Sequence, residues 1–242
     1  MQMAQPATPK LLPKALKPAE SAKIFLRAPS CPSWFEILQA QSRLYHRPMV
    51  TDLSAFILAG GKSTRMGTDK AFLLLDERTL LARMLDLARQ VSSHVHIVGD
   101  PAKFTPFAPT IEDIFPGRGP LGGIHAALRF SPTDLNVILA VDVPFVPPAL
   151  LDYLISRAQN SDANATLARA AGGFQPLCAV YRRSFADVAE DALRAGRYKI
   201  DALFALTDTQ VIEEAELGAA GFSRRVFRNL NSPEDLATTH DL

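Results

Sequence analysis

From Leu53 onward, short runs of strongly apolar residues alternate with longer stretches in which apolar positions recur every three or four residues. That alternation is the pattern of a sheet with helices on its faces. Leu53–Leu58 reads as a buried strand. Residues 79–91 read as a helix with an apolar stripe at positions 80, 81, 84, 85, 87, 88 and 91, and His94–Val98 reads as the next strand, giving one βαβ unit. The same reasoning predicts strands at 110–114, 136–141, 165–169, 177–181 and 210–213. It predicts helices at 121–129, 147–159, 184–195 and 233–239. In an open α/β sheet, ligands bind beyond the carboxyl ends of the strands, so candidate chemistry belongs there.

The segment before this pattern differs in kind. The first 48 residues hold seven of the chain's 18 prolines, which interrupt any long helix or strand. Residues 1–50 carry a net charge of +5, and residues 51–242 one of −4. The expected organisation is therefore a Pro-rich, basic, flexible tail over 1–50 and one folded domain over 51–242. A mildly acidic body argues against duplex nucleic acid as a partner, because such binders need a basic face to displace counterions. No apolar run approaches the roughly 20 residues that span a bilayer, so no membrane is expected. With only Cys31 and Cys178, a disulfide framework or cysteine metal cage is not expected, and a cytoplasmic location fits.

Directly after the first strand comes Leu58-Ala59-Gly60-Gly61-Lys62-Ser63-Thr64-Arg65-Met66-Gly67-Thr68-Asp69-Lys70. Glycines let backbone approach an anion closely, and their N–H groups can form an anion nest beside Arg65 and Lys70. Gly61-Lys62-Ser63 imitates the end of a P-loop, but that motif needs a glycine where this chain has Phe56. The spacing of Gly60, Gly61 and Gly67 also fails the dinucleotide-binding fingerprint. Asp142 follows an apolar strand and precedes Pro144, which puts its carboxylate at a strand's carboxyl end. Such an oxygen suits Mg²⁺, which takes one or two protein oxygens together with substrate phosphates and waters. Asn231, before Ser232-Pro233, is either a second metal ligand through its amide oxygen or a turn residue. Arg197 and Lys199 either meet a phosphate or form a solvated helix end.

The glycine-rich loop resembles the signature of the molybdenum cofactor guanylyltransferases, within the GT-A-like nucleotidyltransferases. The resemblance extends over about residues 53–240 through Glu112-Asp113, Gly119-Pro120-Leu121-Gly122-Gly123, Ala140-Val141-Asp142-Val143-Pro144-Phe145 and Asn229-Leu230-Asn231-Ser232-Pro233-Glu234-Asp235-Leu236. It implies a three-layer α/β/α, Rossmann-like fold with a mostly parallel mixed sheet. It also implies Mg²⁺-dependent transfer of GMP from GTP to the terminal phosphate of molybdopterin or the molybdenum cofactor, with release of pyrophosphate. Arg65, Lys70 and Asp142 are the implied catalytic residues. Leu58, Ala59, Gly60, Gly61, Lys70, Asp113 and Asp142 would bind the nucleotide, and Asp142 and Asn231 the metal. Asn229, Asn231, Arg197 and Lys199 would bind the acceptor, and cofactor-insertion or acceptor proteins would be partners. The Ala59-Gly60-Gly61 loop favours the guanylyl enzymes, because cytidylyl relatives usually carry a second alanine. One departure stands out. Where some relatives place an Asn near the end of the second main strand, this chain reads Val98-Gly99-Asp100.

Overall fold

A computed structural model describes residues 52–60 and 69–230, all within one compact unit spanning 48–242. The main sheet has seven strands. β1 (Leu53–Leu58) is followed by a 3-10 turn at Lys70–Phe72, by a small hairpin of β2 (Leu74–Leu75) and β3 (Arg78–Thr79), and by helix α1 (Leu80–Val91). Then come β4 (His94–Val98), the one-turn helix α2 (Pro101–Phe104), β5 (Thr110–Ile111), α3 (Pro120–Phe130), β6 (Leu135–Ala140) and α4 (Pro148–Gln159). β7 (Ala165–Ala170), β8 (Gly173–Arg182), α5 (Phe185–Arg194), β9 (Thr209–Glu213) and α6 (Glu214–Ala219) complete the described elements, with 3-10 turns at Ile200–Leu203 and Arg224–Phe227. The predicted helix at 233–239 lies outside the described residues, as does the tail expected over 1–50.

The strand order is β5-β4-β1-β6-β8-β7-β9, and only β8 runs against the rest. The sheet is thus mostly parallel and mixed. The chain leaves β1 toward β4 and β5, then crosses back through α3 to add β6 on the other side of β1. That reversal makes the carboxyl ends of β1 and β6 the topological switch point, where Leu58 pairs with Ala140.

Side-chain alternation along the buried strands builds two cores. In β1, Leu53, Ala55 and Ile57 face the layer that holds α1, α4 and α6, whereas Phe56 and Leu58 face α3 and α5. The apolar stripe expected of the first helix is the buried face of α1: Leu80, Leu81, Met84, Leu85, Leu87, Ala88 and Val91. Each fully buried leucine there contributes about 1.5–3 kcal/mol relative to exposure. Thr79 opens this helix, its side chain accepting from Ala82 N at 3.1 Å. On the opposite face, Ala186, Ala189 and Ala192 of α5 share a core with Leu121, Ile124 and Leu128 of α3.

Two of the predicted strands differ from expectation by three residues or more at one end. β5 stops at Ile111 instead of 114, because Asp113 turns its carboxylate back to accept from Phe115 N at 2.8 Å. β8 begins at Gly173 instead of 177, in spite of Pro176. The β7–β8 register shifts between Leu167 and Arg169, opposite the stretch that contains Pro176, so the proline's missing N–H falls where the ladder is already broken.

Candidate active site

The switch point collects most of the described candidate residues. β1 ends with its last carbonyl, on Leu58, accepting from Val141 N at 3.2 Å. Ala59 and Gly60 turn their N–H groups to the Val98 carbonyl at 3.0 and 3.2 Å. The Gly60 amide is therefore spent within the fold. Gly61 and Arg65 lie outside the described residues. A methyl group at Gly60 would meet Gly99 Cα and Val98 O at 3.8 Å, ordinary contact distance.

Lys70 opens the 3-10 turn Lys70–Phe72. Asp69 caps that turn, accepting from Ala71 N at 3.2 Å, and Lys103 lies 3.4 Å from its other oxygen. With its backbone so held, Lys70 places Nζ 3.3 Å from Oδ2 of Asp142, just past the carboxyl end of β6. Both side chains keep about a fifth to a quarter of their surface exposed, 25% for Lys70 and 20% for Asp142. Two residues 72 apart in sequence thus present a cation and an anion side by side at the switch point. Asp142 also anchors the end of the described chain, since its carbonyl accepts from Leu230 N at 2.9 Å. Asn229, the neighbour of Leu230 in sequence, is thereby brought to the same place, and Asn231, two residues beyond Asn229, lies outside the described residues.

Asp113 sits on the other side of β1, against the first turn of α3. A Cβ built on Gly122 would stand 2.7 and 2.9 Å from its carboxylate oxygens and 3.0 Å from Phe115 O, so only glycine admits this approach. Burial pushes the Asp113 carboxyl above its ordinary range, while the Phe115 N–H and nearby His125 oppose the rise. Gly119 caps α3 at φ 70°, ψ −161°, a conformation that glycine alone adopts without strain. Gly123 lets the helix settle on Leu58 and Val98, whose side chains would be 3.3 and 3.7 Å from a Cβ there.

Arg197 and Lys199 follow a helix end closed by the Schellman pattern, with Gly196 at φ 72°, Gly196 N donating to Leu193 O and Arg197 N to Ala192 O. Because α5 follows the antiparallel strand β8, this end emerges at the carboxyl side of the sheet. Both cations are exposed there. The Asn expected in some relatives near the end of the second main strand has no equivalent: Asp100 spends its side chain capping α2, accepting from Ala102 N at 3.0 Å.

Sequence reasoning missed Arg118. Its guanidinium carbon lies 4.8 Å from the centre of the Tyr198 ring, a contact across 80 positions that no local pattern signals. It also missed His125, buried between the Phe115 ring, whose centroid is 5.1 Å away, and Glu190 Oε2 at 3.3 Å. Cys178 is completely buried, which pushes its thiol up to about 12.

A lysine beside a carboxylate at the switch point of a mostly parallel sheet is an arrangement that suits phosphate-bearing substrates, such as those of nucleotidyltransferases. Residues 55–211 match the MobA-like NTP transferase domain, and the chain belongs to that family. Among curated relatives, the probable molybdenum cofactor guanylyltransferase of Pelotomaculum thermopropionicum is 32% identical over 182 residues, which is 74% of this chain and 88% of that protein. The molybdenum cofactor guanylyltransferase of Desulfosudis oleivorans is 34% identical over 187 residues, 76% of this chain and 92% of that one. A solved structure of molybdopterin-guanine dinucleotide biosynthesis protein A from Archaeoglobus fulgidus superposes with a TM-score of 0.68 at 27% identity, covering 78% of this chain and 97% of that chain. The 2-C-methyl-D-erythritol 4-phosphate cytidylyltransferase of Thermus thermophilus shares the fold, with a TM-score of 0.56 at 18% identity over 77% of this chain and 96% of that chain.

Proposed function

We propose that this chain is a molybdenum cofactor guanylyltransferase. A terminal phosphate oxygen of molybdopterin, with or without bound molybdenum, attacks the α-phosphorus of GTP. The new P–O bond forms as the bond to the β-phosphate oxygen breaks, and pyrophosphate leaves. The observation that carries this reading is the Lys70–Asp142 pair at the switch point.

The acceptor phosphate is already largely ionised at neutral pH, so no strong general base is required. The site has to bring two anions together in line and neutralise the charge they share. Lys70 supports the polyphosphate, joined in this reading by Arg65 and the Gly61 amide. Asp113 and the glycine-capped start of α3 border the nucleotide side. Asn229, Arg197 and Lys199 receive the acceptor.

Asp142 fits a divalent cation. It is a partly exposed carboxylate at a strand end, and among the described residues no three His, Cys, Asp or Glu side chains gather into a protein cage. One protein carboxylate completed by substrate phosphates and waters is the habit of Mg²⁺, with Asn231 as the second protein ligand in this reading. When bound, the ion supplies positive charge to the polyphosphate. The cytoplasmic location expected from the cysteine usage belongs to this reading, and so do cofactor-insertion or acceptor proteins as partners. No helix among the described residues is long and apolar enough to cross a membrane.

Pyrophosphate release that needs both GTP and molybdopterin tests the proposal. Asp142→Asn should abolish it while leaving the fold intact, because Leu230 is bonded to the Asp142 backbone and not to its carboxylate. Full activity with unchanged metal dependence in that variant would remove Asp142 from its role.

A further inference from the structure

Arg118, Arg197 and Lys199 stand exposed at the carboxyl side of the sheet, and none of them meets a carboxylate among the described residues. Elsewhere on the surface, Arg129, Arg157 and Arg182 are each satisfied by Glu190, Glu216 and Asp134. Tyr198 connects these three cations. This residue sits between Arg197 and Lys199 in sequence, and Arg118 lies over its ring at 4.8 Å.

The placement of Arg118 is built in from both ends. Phe115-Pro116-Gly117-Arg118 closes as a β-turn, with Arg118 N donating to Phe115 O at 3.3 Å and Gly117 at φ 76°, the sequence and backbone of a type II turn. Phe115 packs edge-on against buried His125, which contacts Glu190 on α5. Arg194 and Arg129 hold Glu190 in turn. The turn that carries Arg118 is thus fixed to the helix whose end carries Arg197 and Lys199.

An aromatic face holds a guanidinium without cancelling its charge. Stacking uses the face of the group and leaves its edge N–H donors free for an oxyanion. We propose that Arg118, seated on Tyr198, completes a three-cation clamp with Arg197 and Lys199 for the phosphate of the acceptor, and so sets selectivity for a phosphorylated acceptor. This rests on the guanylyltransferase reading. A phosphate monoester carries nearly two negative charges at neutral pH, which suits such a cluster. The Arg118 head group lies against the 196–199 turn through the Tyr198 ring.

The test is direct binding of molybdopterin, followed by pterin fluorescence, beside binding of GTP. Arg118→Ala should weaken molybdopterin binding by about tenfold, the loss of one charge-assisted contact, and leave GTP affinity within about twofold. Tyr198→Phe, which keeps the ring, should bind as wild type does, whereas Tyr198→Ala should follow Arg118→Ala. Dephosphorylated molybdopterin should not distinguish Arg118→Ala from wild type. Unchanged molybdopterin affinity in Arg118→Ala, or a loss that falls on GTP instead, would overturn the clamp. If the protein transfers no GMP but phosphorylated pterin still binds through Arg118, the reaction reading falls and the clamp stands.

Discussion

Gly122→Ala puts one methyl group into the tightest glycine site among the described residues. The added carbon would lie 2.7 Å from Oδ2 and 2.9 Å from Oδ1 of Asp113, and 3.0 Å from the Phe115 carbonyl. To reach ordinary contact, the carboxylate must retreat by about 0.7 Å, and it is not alone, because a backbone oxygen that cannot rotate away is also in the path. Overpacking of this kind costs about 1–3 kcal/mol. For a domain of this size, that is a fall in melting temperature of roughly 2–10 °C. Function should suffer more than stability, because the same shift moves Asp113 and the turn leading to Gly119. The assays are thermal unfolding and kcat/KM for GTP at fixed molybdopterin. Gly60→Ala is the contrasting variant, since its methyl meets only ordinary contacts at 3.8 Å and should leave the melting temperature unchanged. In an Asp113→Ala background, part of the Gly122→Ala penalty should vanish, as coupled neighbours are non-additive. Equal melting temperature and equal kcat/KM in Gly122→Ala would refute the reasoning, and so would full additivity with Asp113→Ala.

Lys70→Ala should reduce turnover on the order of 10²–10³-fold, as loss of a transition-state donor does, while costing under about 1 kcal/mol of stability, because the pair it leaves is partly exposed. An unchanged kcat would place Lys70 outside the reaction. Asp113 makes a pH prediction. Burial raises its folded pKa, so its contribution to stability is present at low pH and is lost as pH rises through the folded pKa. Asp113→Asn should therefore melt higher than wild type at neutral pH and lose that advantage in mild acid, and a difference that grows on acidification would reverse the assignment.

The layers of this fold were legible because its strands and helices carry strong periodicity. The buried stripe of α1 and the bounds of β1 and β4 agree with the sequence pattern to the residue. Weak local signals account for what was missed. The β2–β3 hairpin turns through Asp76 and Glu77 at φ 47° and 64°, positions where glycine or asparagine would have announced the turn. Helix α6 is only six residues long, with one buried side chain, Leu217, to mark its face. At the candidate site, Lys70 and Asp142 stand out in the sequence because one closes the glycine-rich stretch and the other follows an apolar strand, whereas Asp113 is singled out only through the family resemblance. The pairing of Arg118 with Tyr198 does not stand out, because it depends on how α3 and α5 pack. The nest expected at Gly60 is altered for a similar reason: Val98, a neighbour through the sheet, takes its N–H.

The base and the acceptor can be read together by incubating the protein with molybdopterin, Mg²⁺ and either GTP or CTP, identifying the dinucleotide formed and comparing kcat/KM. A pocket that hydrogen-bonds one base leaves buried polar groups unpaired around another, so the preference should be sharp, about 10²-fold or more. The prediction is molybdopterin guanine dinucleotide with release of pyrophosphate, and GTP strongly preferred. Preference for CTP would contradict the guanylyl assignment, and no dinucleotide with either nucleotide would contradict the transfer itself.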